Sequence, residues 1–174
     1  MNTILKDLHW CTNCVTMSTR RRIGFDDKGM CNACGWSESK KTMDWKPREQ
    51  ELKKLLDRHR RNDGGFDCLC PVSGGKDGSY VAYNLKHKYG MNPLCVTFSP
   101  PVYTEIGLTN LRNFIDSGFD HKMVNPNGKV YKLLSKLCFI YFGDHEEAFD
   151  RGMFSGPITE AYNNDIKLVF YGEN

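Results

Sequence analysis

Two groups of residues in this sequence can do chemistry. The first is the run Cys68-Leu69-Cys70-Pro71-Val72-Ser73-Gly74-Gly75-Lys76-Asp77-Gly78-Ser79, an apolar stretch that breaks into paired glycines and then turns polar. It reads as strand, phosphate loop, helix. Adjacent glycines let a backbone approach a polyanion, because no Cβ blocks the way and positive φ is open to them. The helix that follows points free N–H groups and the positive end of its dipole at the same spot. Ser73 and Ser79 add hydroxyl donors, Lys76 adds a mobile positive charge, and Asp77 is a candidate ligand for the magnesium that accompanies a nucleoside triphosphate. The G-x-x-x-x-G-K-[ST] loop does not fit, since Cys70 sits where its first glycine belongs and Asp77 follows the lysine.

The second group is Cys11-Thr12-Asn13-Cys14 and, after sixteen intervening residues, Cys31-Asn32-Ala33-Cys34. This is the spacing of a four-thiolate zinc site, in which two knuckles complete a closed tetrahedron. A closed site serves stability or docking, with a redox or iron–sulfur role as the alternative. Between the knuckles, Phe25-Asp26-Asp27-Lys28-Gly29-Met30 resembles a hairpin turn that returns the second pair to the first. Arg20-Arg21-Arg22 reads as a solvated loop.

Elements must position these groups. From Asp44 the pattern is helical, with Asp44 as cap and Trp45, Leu52, Leu55, Leu56 and His59 on one face. The run Arg58-His59-Arg60-Arg61 offsets the dipole at its end, and Asn62-Asp63-Gly64-Gly65 closes it. Strand and helix then alternate. Strand one covers about 66–72, and a helix with Val81, Ala82, Leu85 and Tyr89 stops at Gly90. Strand two is Leu94–Phe98, and a helix around 105–117 ends at Gly118. Strand three, 119–124, is mixed in polarity and suits a sheet edge. A strongly periodic helix with Val130, Leu133, Leu134, Leu137, Cys138 and Tyr141 ends at Gly143. A loop over 144–156, a short helix after Pro157 and a fourth strand over 166–171 complete the chain.

Right-handed crossovers turn such a chain into an α/β, doubly wound parallel sheet of order 3-2-1-4. Ligands then bind outside the carboxyl ends of strands one and four, which places Glu173 beside Ser73–Ser79 as a catalytic candidate. The expected organisation is a zinc-knuckle module at 1–43, a connecting helix at 44–63 and a nucleotide-binding domain at 64–174. Cys68, Cys70, Cys95 and Cys138 fall in apolar segments and read as small core residues. His145, beside Glu146 and Glu147, belongs to an exposed loop.

The 174 residues carry a net charge of +3, too little to announce a nucleic-acid binder. The excess lies in residues 1–65, with 14 Lys/Arg against 9 Asp/Glu, so the loop-bearing part is slightly acidic. No apolar run reaches membrane-spanning length and the start lacks a secretory pattern, so a cytoplasmic protein is expected.

Ser73-Gly74-Gly75-Lys76-Asp77 followed closely by Ser79 resembles the PP-loop of the ATP pyrophosphatases, although Gly78 stands where a hydroxyl residue is usual. With the four cysteines, Thr97-Phe98-Ser99-Pro100, Tyr103-Thr104-Glu105-Ile106-Gly107, Phe119-Asp120-His121, Arg151-Gly152 and the final Tyr171-Gly172-Glu173-Asn174, the chain resembles the N-acetyl sugar amidotransferase family over nearly its whole length. That resemblance implies adenylation of a sugar's acetamido group by ATP, release of pyrophosphate, and displacement of AMP by ammonia. The product is an acetamidino sugar for bacterial surface polysaccharide or flagellin glycan. It implies that Ser73, Gly74, Gly75, Lys76 and Ser79 hold phosphates, that Asp77 holds magnesium, and that Tyr103, Thr104, Glu105, Gly107 and Arg151 face the sugar. It also implies a separate glutaminase and a cyclase-like barrel subunit as ammonia-supplying partners. The family's members run further, so a truncated product or split subunit is expected. A tRNA-modifying PP-loop enzyme and a non-catalytic nucleotide- and zinc-binding subunit are the competing readings.

Overall fold

The computed structural model describes residues 8–173 and divides into two compact units, one up to Glu51 and one from Leu52 onward. The first unit is built around the cysteines. Antiparallel bridges pair Trp10 with Met17 and Phe25 with Cys31, and the Asp26–Gly29 turn closes with Gly29 at φ +75°, as expected for a hairpin. Helix α1 (Asn32–Thr42) starts directly from Cys31, whose sulfur accepts the Cys34 N–H as an N-cap oxygen would.

Helix α2 (Trp45–His59) begins where Asp44 accepts the N–H of Lys46 at 3.0 Å. Its Leu56 is fully buried, whereas Trp45, expected on the same face, is exposed. The basic run at its end is consumed within the chain. Arg60 donates to the carbonyls of Tyr89 and Gly90, and Arg61 clasps Asp63 through two nitrogens. The Arg61 guanidinium and the Gly65 N–H hold the Asp63 carboxyl down at about 2.

The second unit then alternates β1 (Cys68–Pro71), α3 (Lys76–Tyr83), β2 (Pro93–Phe98), α4 (Glu105–Asp116), β3 (His121–Val124), α5 (Gly128–Phe142) and α6 (Glu147–Asn163). Helix α3 widens into one π-helical turn, Asn84–Lys88, before the chain reverses at Gly90 (φ +63°). All three strands are parallel in the order β1-β2-β3, with Cys70 opposite Cys95 and Cys95 opposite His121. The fourth strand expected over 166–171 is reduced to one parallel bridge, Val169 to Leu69, held by the Leu69 N–H on Leu168 and the Phe170 N–H on Leu69. It lies on the far side of β1, so the expected order survives while the strand does not.

The period-two alternation of β1 separates two cores. Cys68 and Cys70 face one side with Leu56, Ala82, Leu85, Cys95, Phe114 and Phe119. Leu69 faces the other with Leu94, Val96, Ala161 and Ile166. Helices therefore cover both faces, which makes the sheet doubly wound. Burial pushes the Cys68 and Cys95 thiols up to about 12 and raises Cys70 as well, so these sulfurs pack as protonated core atoms.

Two elements depart from the sequence pattern. The expected loop over 144–156 and short helix after Pro157 form one 17-residue helix, α6, with Pro157 inside it. Gly and Pro act as breakers by local rules, but Gly152, Gly156 and Pro157 are all buried here. An added Cβ at Gly152 would lie 2.2 Å from the Phe98 ring, and one at Gly156 would lie 3.0 Å from it. The small residues let the helix backbone rest on β2. Glu160, buried on α6, pairs with Lys122 of β3 at 2.5 Å. In α5 the regular apolar stripe faces outward, with Val130, Leu133, Leu134 and Leu137 each more than a third exposed. Tyr131, Ser135 and Cys138 are its half-buried side.

Gly152→Ala is expected to displace the Phe98 ring and cost about 1–3 kcal/mol. A fall in the urea midpoint with an unchanged m-value checks it.

Candidate functional site

The phosphate-loop candidate leaves β1 at its carboxyl end. Gly74 adopts φ +80°, and a Cβ there would strike the Leu111 backbone of α4 at 2.6 Å. Gly75 is the N-cap of α3 in an extended conformation and offers no side-chain cap. The first N–H groups of α3 are thus left for a ligand. Gly78 also has a local reason, since a Cβ there would lie 2.9 Å from the Pro71 carbonyl oxygen. A hydroxyl side chain at 78 does not fit this backbone, which accounts for the departure from the usual motif. Lys76 Nζ stands 2.9 Å from both Asp77 carboxylate oxygens, and both side chains are largely exposed.

The chain after the Val169 bridge returns to this loop. A Cβ on Gly172 would meet the Gly78 nitrogen at 2.6 Å, so two backbones touch where any side chain would part them. Tyr171 packs on Phe154 at 5.4 Å between ring centroids, and its hydroxyl donates to the Phe154 carbonyl. Desolvation raises its pKa.

A cavity of about 660 Å³ collects these pieces. Ser73, Gly75, Lys76, Asp77, Gly78 and Glu173 line one part; Tyr103, Thr104 and Gly107 line another. Gly74 and Ser79 stand behind the lining: Gly74 shapes the loop, and the Ser79 N–H donates to the Gly75 carbonyl. Thr104 is the N-cap of α4, its hydroxyl accepting the Gly107 N–H at 3.0 Å. Tyr103 directs its hydroxyl to Ser99 and Met123. Glu105 lies in the first turn of α4 and outside the lining. Arg151 is paired with Glu147 on the exposed side of α6, also outside it.

Helix α6 adds what sequence reasoning missed. Phe149, Asp150, Met153, Phe154 and Pro157 line the cavity, so Asp150 is a third carboxylate beside Asp77 and Glu173. Their four-residue spacing, in step with Gly152 and Gly156, was the available signal. Thr97 is another omission, a hydroxyl in an otherwise apolar strand. It lines the cavity and gives its proton to the Val72 carbonyl at 2.6 Å. His121 Nε2, 2.8 Å from the same hydroxyl, must then be the donor of the second bond. Desolvation lowers the His121 pKa, consistent with that neutral tautomer.

The four cysteines of the first unit bring their sulfurs within 4.8 Å of one another. Cys11 lies 3.9 Å from Cys34 and Cys14 lies 3.8 Å from Cys31. Zinc–sulfur bonds of about 2.3 Å require tetrahedral edges of about 3.8 Å, so the cluster fits zinc. Burial works against charge on Cys11, but the N–H groups of Cys31 and Asn13 outweigh it and draw the thiol down to about 6. For the magnesium of a nucleotide, Asp77 and Glu173 supply carboxylates within the same cavity, a donor set that suits one completed by phosphate oxygens.

No family model matches the chain. Over 104 residues it is 28% identical to an uncharacterised protein of Methanocaldococcus jannaschii, which covers 59% of this chain. The chain spans 37% of that relative's length. Among solved structures it is similar to the NH3-dependent NAD synthetase of Campylobacter jejuni, with a TM-score of 0.54 and 17% identity over 76% of this chain and 58% of that one. It is also similar to the NMN synthetase of Francisella tularensis, with a TM-score of 0.51 and 20% identity over 71% and 53% of the two chains. The fold is therefore the one seen in these two synthetases. Among the described residues no helix is long and apolar enough to cross a membrane.

Two outcomes are expected. Purified protein should carry one zinc per chain by elemental analysis, and Cys31→Ser should lose it. Gly74→Ala combines a positive-φ penalty of about 1–2 kcal/mol with a backbone collision, so it should abolish nucleotide binding in a titration.

Proposed function

We propose that this chain is the ATP-binding part of an amidotransferase that turns the acetamido group of an N-acetyl sugar into an acetamidino group, for bacterial surface polysaccharide or flagellin glycan. The observation that carries this reading is the shared cavity. It joins an uncapped helix N-terminus, Lys76 and two flanking carboxylates to the Tyr103–Gly107 segment. An acceptor amide and an α-phosphate can meet there.

An amide carbonyl is a poor electrophile, and its oxygen becomes a leaving group only once activated. In the proposed reaction that oxygen attacks the α-phosphorus of ATP, and the bond to the β-phosphate breaks to release pyrophosphate. Ammonia then adds to the activated carbon, the C–O bond breaks with loss of AMP, and the amidine remains. Ser73, Gly74, Gly75, Lys76 and the N-terminus of α3, with Ser79 supporting its first turn, hold the phosphates and receive the charge that develops on the departing pyrophosphate. Asp77, with Glu173 nearby, would hold magnesium, which neutralises phosphate charge when bound. The sugar side falls to Tyr103, with Thr104 and Gly107 shaping the start of α4. Glu105 and Arg151 stand further out, and Asp150 is the nearer polar group.

Ammonia is the nitrogen donor named for the similar NAD synthetase. Cys68, Cys70 and Cys95 are buried, and desolvation keeps their thiols protonated rather than poised as nucleophiles. This supports an outside ammonia source, the glutaminase and barrel subunit of the resemblance. The cytoplasm, which supplies ATP, is the proposed location.

The test is release of AMP and pyrophosphate from ATP with ammonium and a panel of N-acetyl sugars. AMP formation should need both the sugar and the amine, and Asp77→Ala should lower it by at least a hundredfold. ATP binding with no AMP under any sugar would instead leave a nucleotide-binding subunit.

A further inference from the structure

A second cavity, of about 520 Å³, opens at the carboxyl ends of β2 and β3. It is the neighbour of the first. Pro100 lines both, so the segment Ser99-Pro100-Pro101 is the wall between them. That wall is fixed in place: the Ser99 N–H donates to the Val124 carbonyl at 2.8 Å, and the Tyr103 hydroxyl reaches Ser99 Oγ at 3.4 Å from the other side. A molecule lying across Pro100 has one end in each cavity.

Two side chains on the far side, Lys132 and Ser135, lack partners among the described residues. The Lys132 side chain of α5 makes no ion pair or hydrogen bond among the described residues. Ser135 Oγ, one turn further along α5, is fully buried with no hydrogen-bond partner. Buried hydroxyls in folded proteins are almost always bonded, so one left unbonded in the wall of a cavity points to a partner that the protein itself does not supply. His145 stands on the rim, and the acid beside it, Glu146, is 3.9 Å from its imidazole. Pro100, Pro101 and Pro126 supply the apolar walls. Lys132 is exposed at the cavity, and an ammonium with no carboxylate beside it attracts an anion. Hydroxyl groups beside proline rings suit a pyranose, which offers C–H faces to the rings and hydroxyls to the polar atoms.

We propose that this cavity is a subsite for the phosphate-bearing end of a phosphorylated sugar, held by Lys132 and Ser135, while the sugar's acetamido group crosses Pro100 into the ATP cavity. This rests on the amidotransferase reading for the identity of the reacting group. The anion subsite itself rests on Lys132, Ser135 and the shared wall.

The experiment titrates the wild-type chain, Lys132→Ala and Asp77→Ala with N-acetylglucosamine, N-acetylglucosamine 1-phosphate and glucose 1-phosphate, with ATP binding measured in parallel. Wild type should bind the phosphorylated N-acetyl sugar at least tenfold more tightly than the neutral one. Lys132→Ala should erase that difference and leave ATP affinity unchanged, whereas Asp77→Ala should retain it. Equal affinity for phosphorylated and neutral sugars, or a preference that survives Lys132→Ala, overturns the subsite. Glucose 1-phosphate binding as tightly as its N-acetyl counterpart, still dependent on Lys132, supports the subsite and sinks the N-acetyl reading alone.

Discussion

Close approach of backbone to backbone around the phosphate-loop candidate is the constraint on which this site depends. Gly74 lies against the α4 backbone, Gly78 against the carbonyl of Pro71, and Gly172 against the nitrogen of Gly78. Each contact is too near for a Cβ. Together they hold the start of α3 uncapped and facing a cavity. A side chain at any of these points would push apart the elements that give the cavity its shape.

The sheet sets where those contacts occur. Strand β1 is bonded to β2 on one side and to the Val169 bridge on the other, so three carboxyl-terminal ends converge beside the loop. Cysteines fill one face of β1 because they are small and, once buried, remain uncharged. On the other face, Gly152 and Gly156 let α6 descend onto Phe98, which brings Asp150 and four aromatic or apolar side chains to the cavity wall. The same backbone contact that buries α6 thus completes the pocket. The four cysteines of the first unit obey a different constraint. Their sulfur separations are those of a metal tetrahedron, well beyond the roughly 2.05 Å of a disulfide.

Much of this was legible from residue order. Alternation of Cys68, Leu69 and Cys70, the stops at Gly90, Gly118 and Gly143, and the paired C-x₂-C knuckles each carry a short-range physical meaning. They led to a parallel sheet with the fourth segment beside β1. Local rules failed where a distant partner reversed them. Gly152, Gly156 and Pro157 look like a loop until Phe98 supplies a surface that only a bare helix backbone can meet. The stripe of α5 looks like a core face, yet of its members only Cys138 is half-buried, on the side that also carries Tyr131 and Ser135.

By itself the sequence determined the types of chemistry: thiolates at metal spacing, a glycine loop with lysine and aspartate before a helix, and apolar runs short enough for strands. These follow from covalent spacing and local backbone preference. Tertiary structure alone decided which groups share a cavity. Asp150 reaches the loop from a segment distant in the chain, and Thr97 meets His121 across neighbouring strands. Ser135 is left without a partner inside a second cavity. Those outcomes depend on register and on how closely two backbones can approach, quantities that no local pattern of residues contains.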